Sequence, residues 1–558
     1  MSVDWIDARQ GMLSMYADGA ILDRRNGLVV PQADQQAIVR AKKGVLKSLV
    51  GIGLRENWLE TSFQEMESQS FGDMWVKNFG DMIVGGLVAD IEGVQARGNL
   101  YLELASTLTI NESFHSTDDA IELSASEGII VNADVSTDGH NISLTAGTAI
   151  ELTNNGSLDT RSGEAHVALV ANSGGILMGP SSIIHGTDGA VSLAATGEIA
   201  LSKISTTGDV FVTTSGGSIQ AADNVIGTNH VDGKTVALSS AGSVGVENRP
   251  LLVKINTPGN GGELDAIAVA GIDIEVAPGG LSFGEVRSSG GDIRILARGT
   301  DETLIPSASI IEAPSGNVTL TLGGSLRLQP TGTIIAAGEI EIFGDSLVAD
   351  VTAADQGSTF SLFGELKAPV VTVSAAASQT AFNVGAVPHA SNVTLNSTGA
   401  STSFAVGSTA PVAGGVLSGI AGKLNVLATG EGSSLSLDAT GASIGQQGTV
   451  GPSSVTGIGM PGSVGYGGIG LESLAVHLGN GGDQVVVEGT NGNAGFVTKI
   501  YGGTGNDTIA TTGGEFHWTL TGVGIGVVDG DASFGFTGIE NIDTGEQNDT
   551  VTFANDLA

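Results

Sequence analysis

The chain contains no cysteine. That excludes disulfides and thiolate-held metals, and leaves stability to packing, hydrogen bonds and hard-ligand ions. Aromatic residues are 4% of its 558 residues, and charged residues 15%, below the usual quarter. Only 22 residues are basic against 59 acidic, a formal net charge of −37. A chain this acidic repels phosphate backbones, which argues against nucleic acid as a partner, and it attracts divalent cations. No apolar run approaches the ~18 residues a membrane helix needs, so no transmembrane segment is expected. Asp4 and Asp7 stand where an export signal would be basic. Export by another route, or membership of a longer chain, is the expectation.

What the chain does have is glycine, 86 residues of it, with an ordinary apolar fraction of 41%. Glycine with Ser, Thr, Ala and Val suits many short strands turning at small-residue corners. "GNLYLELASTLTI" from Gly98, "GHNISLTAGTAIEL" from Gly139, "GAVSLAATGEIAL" from Gly189, "GDVFVTTSGGSIQ" from Gly208 and "GNVTLTLGGSLRL" from Gly316 share one plan. Each is an alternating strand, a glycine corner and a second alternating strand, often followed by a weaker third. Ten such units fill Gly98 to Gly338, about 24 residues each. That period describes one coil of a parallel β-helix, with Leu, Ile and Val inward and Ser, Thr, Asn and charges outward. One coil cannot bury its own apolar side, so stacking supplies the core. At about 4.8 Å per coil, ten coils predict a rod of roughly 50 Å.

Composition shifts near residue 85. Six of the eight methionines and three of the four tryptophans precede it, and ten of the 22 basic residues lie in the first 100. In "ADQQAIVRAKKGVLKSLV", Ile38, Val45, Leu46 and Leu49 fit one helical face, interrupted by Gly44. This predicts a helix, packed as a cap on the end of the solenoid. The expected fold is therefore all-β: a parallel β-helix (β-solenoid) of about 24 residues per coil, with a small helix-containing N-terminal cap. The expected divisions are a mixed or helical cap at 1–90, the β-helix at 91–345, a less regular β-rich region at 346–470, and a last β-region at 471–558.

The coils resemble the filamentous-haemagglutinin-like repeats of giant bacterial surface and secreted proteins. "LNVLATGEGSSLSLD", "VTGIGMPGSVGYGGIGLESLAVHLGNGGDQVVV" and "FHWTLTGVGIGVVDGDASFGFTGIENIDTGEQNDTVTF" are similar to further modules of the same proteins. The likeness covers most of residues 90–558. In that family such modules are punctuated by calcium-binding nonapeptides of the repeats-in-toxin type, G-G-x-G-x-D-x-U-x. "YGGTGNDTIATTGG", from Tyr501, carries the whole pattern in Gly502, Gly503, Gly505, Asp507 and Ile509. Gly479, Gly481, Asp483 and Val485 carry its core, with Leu478 in place of the first glycine. Gly545, Asp549 and Val551 carry a degraded copy, with Gln547 in place of a glycine.

The resemblance implies Ca²⁺ held at Gly479, Gly481, Asp483, Gly503, Gly505, Asp507 and Asp549. The glycines would let carbonyl oxygens face the ion, the aspartates would add charge, and oxygen-only ligands suit a hard cation. One departure matters. The family's turns follow one another directly in shorter coils, whereas Gly479 and Gly503 stand one full local period apart. Asp483 and Asp507 are then expected to stack, and stacked carboxylates repel unless a cation lies between them. The competing reading is a plain Gly-Asn-Asp corner whose Asp bonds its own backbone.

Other motifs carry less. "GASIG" at 441–445 fits a nucleophile elbow around Ser443, but no helix follows it. "GIGMPG" and "GYGGIG" fit a dinucleotide loop, yet neither opens a helix. Polysaccharide lyases and hydrolases also use β-helices, but sugar clefts need aromatic platforms and clustered bases that residues 98–338 lack. The sequence thus predicts no catalytic residues. It predicts a non-enzymatic, extracellular or cell-surface adhesin-like stalk with calcium-stabilised repeats, meeting host, cell-surface or matrix ligands and joined, on this reading, to the rest of a longer chain. The alternative is a calcium-dependent surface-layer or matrix protein.

Overall fold

A computed structural model describes residues 1–25, 37–222, 230–257, 261–299, 301–344, 357–388, 391–489, 491–512, 515–528, 533–546 and 548–554. The start of the 33–50 segment, the boundary at 345 and 346, and Gln547 lie outside the described residues. All regular structure among the described residues is β-strand. None of it is a helix long and apolar enough to cross a membrane. The chain divides into two units, Met1–Gly279 and Gly280–Ala558.

In the first unit the alternation read from the sequence becomes three parallel columns of short strands. Leu100–Leu104 points Leu100, Leu102 and Leu104 inward and leaves Tyr101 and Glu103 outside. A corner then delivers Leu108–Ile110, and a second corner Phe114–Ser116. The next coil repeats this with Ile121–Ala125, Ile129–Val131 and Asp134–Thr137. Stacking is in register: Leu100 pairs with Ile121, Ile121 with Ile142, Ile142 with Val167, Val167 with Val191, Val191 with Val210, Val210 with Val236, and Val236 with Leu264. The step is shortest from Val191 to Val210 and longest from Val236 to Leu264, and the rest scatter around the expected period. Strand lengths barely change while corners absorb the variation, because corners face water and longer loops cost little. Each fully buried Leu, Ile or Val in the stack contributes roughly 1.5–3 kcal/mol.

The described residues before 98 form no helical cap. The stretch expected as a helix is a strand, Val39–Ser48, paired in parallel with Ile6–Ala17 on one side and with Leu59–Ser62 and Glu65–Ser70 on the other. Its burial changes phase along the strand. Val39 and Ala41 are buried on alternate positions, Gly44, Val45 and Leu46 consecutively, and Ser48 on the next alternate position, whereas Leu49, needed for the helical face, is 51% exposed. Gly44 does not interrupt a helix: a Cβ there would lie 2.4 Å from the Phe63 ring. The following strands Met74–Asn78, Met82–Val84 and Val94–Ala96 stack directly beneath the strands of the Gly98 coil. The methionine- and tryptophan-rich segment is therefore solenoid as well.

In the second unit one column runs from Ile293–Ala297 through Val318–Leu322, Glu339–Gly344, Val370–Ala375 and Asn392–Ser397 to Lys423–Ala428. Another carries a buried ring ladder: Phe360, Phe382 and Phe404 are register partners, with ring centroids 5.1 and 5.0 Å apart. The less regular stretch at 346–470 contains an inserted antiparallel hairpin built from Gln447–Val450, Ser454–Gly457 and Met460–Gly467, and a second follows beyond it, from His517–Gly522, Ile525–Val528 and Phe534–Thr537.

Candidate metal centre

The two better nonapeptide matches lie on consecutive coils of the second unit. Gly479, Gly481 and Asp483 occupy the corner between Leu471–His477 and Gln484–Val487. Gly503, Gly505 and Asp507 occupy the corner between Val497–Tyr501 and Thr508–Thr511. The flanking strands hold them in register, Val485 against Ile509, and an isolated bridge joins Asn480 to Thr504. The glycines are needed for close approach. Gly503 has φ +86° and Gly505 φ +148°, and a Cβ at Gly505 would lie 1.9 Å from the Gly481 carbonyl oxygen.

The carboxylates form a ladder. The backbone N–H of Gln446 donates to Asp483 Oδ1 at 2.5 Å, that of Asp483 to Asp507 Oδ1 at 2.8 Å, and that of Asp507 to Glu540 Oε2 at 2.8 Å. Asp483 and Asp507 are both buried. Their second oxygens, Oδ2 in each, are buried and have no hydrogen-bond partner among the described residues. A Cβ built on Gly502 would meet the Gly538 carbonyl oxygen at 1.9 Å and Asp507 Oδ2 at 2.9 Å. Both acceptors therefore lie beside Gly502. Burial pushes the Asp507 carboxyl up from its ordinary value; the charges of Asp483 and Glu540 push the same way, against the hydrogen bond from Asp483.

The third copy is placed elsewhere. Asp549 precedes the strand Thr550–Phe553 and accepts the Phe516 N–H at 2.7 Å, so its neighbour is the inserted hairpin and not the Asp483–Asp507 ladder. Its Oδ2 is also buried without a partner among the described residues, as is the indole Nε1 of Trp518. The Gly479 carbonyl, expected to face an ion, accepts the Thr504 N–H at 3.2 Å. Sequence reading missed Glu540 and Gly538. Both lie in "GIENI", and only the stacking of coils brings them to Asp507.

Among the described residues no three acidic or histidine side chains converge as a ready-made cage. An ion here would depend on one or two carboxylate oxygens supplemented by carbonyls. That donor set is all oxygen, and the orphaned Oδ2 beside an acceptor carbonyl is the arrangement a hard cation satisfies. The residues fit calcium on this ground. No protein-family model, no curated protein and no solved structure matches this chain.

Proposed function

We propose that the chain is a non-enzymatic, extracellular or cell-surface β-solenoid of adhesin type whose C-terminal coils are stabilised by calcium. The observation that carries this reading is the buried Oδ2 of Asp507, which has no partner among the described residues and lies, like the Gly538 carbonyl, beside Gly502. Leaving a buried carboxylate oxygen unpaired costs about 1–3 kcal/mol or more. A cation removes that cost and also the repulsion along Asp483, Asp507 and Glu540. Asp507 and the Gly538 carbonyl would hold it, with Asp483 contributing from the coil before. When bound, calcium supplies positive charge to a ladder built from carboxylates. The net charge of −37 suits an environment rich in divalent cations.

Two measurements test the reading. Melting the full chain in EDTA, calcium or magnesium should show stabilisation by calcium and much less by magnesium, which demands tighter octahedral geometry and sheds water reluctantly. Protease treatment of intact producing cells should remove the protein. Absence of any calcium-dependent shift would contradict the calcium reading and leave a plain corner. Full protease protection in intact cells would contradict the surface location.

A further inference from the structure

The first coils carry a feature unlike the rest of this acidic chain. A cavity of about 460 Å³ opens on the first unit, with Arg9, Arg40, Lys42, Ser62, Gln64 and Phe79 in its walls. Three cations, a hydroxyl and an amide thus share one wall system with an aromatic ring. They come from positions spread from Arg9 to Phe79, and stacking assembles them. Arg40 is the register partner of Asp7 on one side and of Ser62 on the other. The Gln64 N–H donates to the Lys42 carbonyl at 3.0 Å, which fixes the turn beside the cavity.

The acids nearby are engaged with cations. Asp7 accepts from Arg9 Nε at 2.9 Å, Glu65 from Lys43 at 2.6 Å, and Asp23 and Glu60 pair with Arg25. Lys42 forms no ion pair among the described residues and is exposed. Arg40 lies with its guanidinium 4.8 Å from the centroid of the Trp5 ring, and its Nε donates to the Ala37 carbonyl at 3.3 Å. The ring and the carbonyl together hold the guanidinium in place at the cavity wall. Among the described residues the cavity wall carries three cations, of which Arg9 is paired with Asp7, in a chain whose net charge is negative.

We propose that this cavity binds a small organic anion, through an oxyanion group (phosphate, sulfate or carboxylate) seated among Arg9, Arg40 and Lys42 and an apolar part laid against Phe79. Guanidinium groups suit such oxyanions because their N–H donors match two oxygens at once. Ser62 and Gln64 add neutral donors. The negative field of the rest of the chain sets the specificity: a long polyanion is repelled beyond the cavity, whereas a small anion is not. This site is independent of the calcium proposal, which concerns the other unit.

The test is isothermal titration calorimetry of the full chain in low-salt buffer containing EDTA, with phenyl phosphate, inorganic phosphate and phenol as probes. Phenyl phosphate should bind saturably, at least fivefold tighter than inorganic phosphate, and phenol should not bind. Arg40→Gln with Lys42→Gln should weaken phenyl phosphate at least tenfold while the chain still melts cooperatively, at a lower temperature because Arg40 gives up its contacts to Trp5 and the Ala37 carbonyl. Arg24→Gln, a basic residue outside the cavity, should leave binding as it was. No saturable binding of phenyl phosphate overturns the proposal. So does an equal loss in Arg24→Gln, which would mean diffuse attraction to a basic surface, or wild-type affinity in the double variant.

Discussion

The backbone N–H of Asp483 donates to Oδ1 of Asp507 at 2.8 Å, from one coil to the next across 24 residues of sequence. This bond places two buried carboxylates one above the other, and Oδ2 of each has no partner among the described residues. Stacked like charges of this kind persist only with a proton or a cation among them.

Asp507→Asn separates the two. Asn keeps an oxygen to accept the Asp483 N–H and removes the charge. In EDTA at neutral pH the variant should be as stable as wild type or about 1 kcal/mol more stable, because a buried unpaired charge is gone. Calcium at ten times its dissociation constant should add about 1.4 kcal/mol to wild type and nothing to the variant. Thermal melts of both proteins with and without calcium check this.

The pH dependence follows from the raised Asp507 carboxyl, whose cause is first burial and then the charges of Asp483 and Glu540. A carboxyl that binds its proton more tightly in the folded state contributes stability in acid. It loses that contribution as pH rises from the ordinary Asp value of about 3.9 through the raised folded value. In EDTA, wild type should therefore lose stability relative to Asp507→Asn as pH climbs from about 4 towards neutrality. Melts of the pair across that range test it, and a difference that stays flat with pH would refute the assignment.

Gly44→Ala gives opposite signs for a helical and an extended N-terminal segment. In a helix interior the change would stabilise by about 1 kcal/mol. In the observed strand the new methyl lies 2.4 Å from the Phe63 ring. Overpacking of that kind costs about 1–3 kcal/mol. Chemical denaturation of the variant distinguishes them.

The same segment marks the limit of what periodicity reveals. The strands from Gly98 onward are legible because strict alternation, as in Leu100, Leu102 and Leu104, admits one period only. Ile38, Val45 and Leu46 fit a period of 3.6 and break strict alternation, and the arbiter is Phe63 from the following coil, whose ring fills the space at Gly44. At the metal centre the spacing of Asp483 and Asp507 is legible because one coil separates them. Glu540 is not, because the hairpin from His517 to Thr537 lengthens the next coil and hides the register. The basic cavity is hidden for a related reason: Arg9, Lys42, Ser62 and Phe79 share no motif and meet only through stacking.

Phe382→Ala tests the ring ladder of the second unit. The side chain is fully buried between Phe360 and Phe404. Removing it leaves a cavity between two rings and should cost about 3–5 kcal/mol. Equilibrium unfolding should show the loss. A cost under about 1 kcal/mol would mean that the coils on either side collapse together.

Calcium titration by calorimetry, on wild type, Asp507→Asn and Gly502→Ala, tests the central claim most directly. A Cβ at Gly502 would press on the Gly538 carbonyl at 1.9 Å and approach Asp507 Oδ2 at 2.9 Å. Wild type should bind saturably with a dissociation constant on the order of 10⁻⁴–10⁻³ M, as extracellular calcium modules do, and both variants should lose that binding. No binding by wild type up to about ten times that range, or unchanged binding in Asp507→Asn, would contradict a calcium site at these coils.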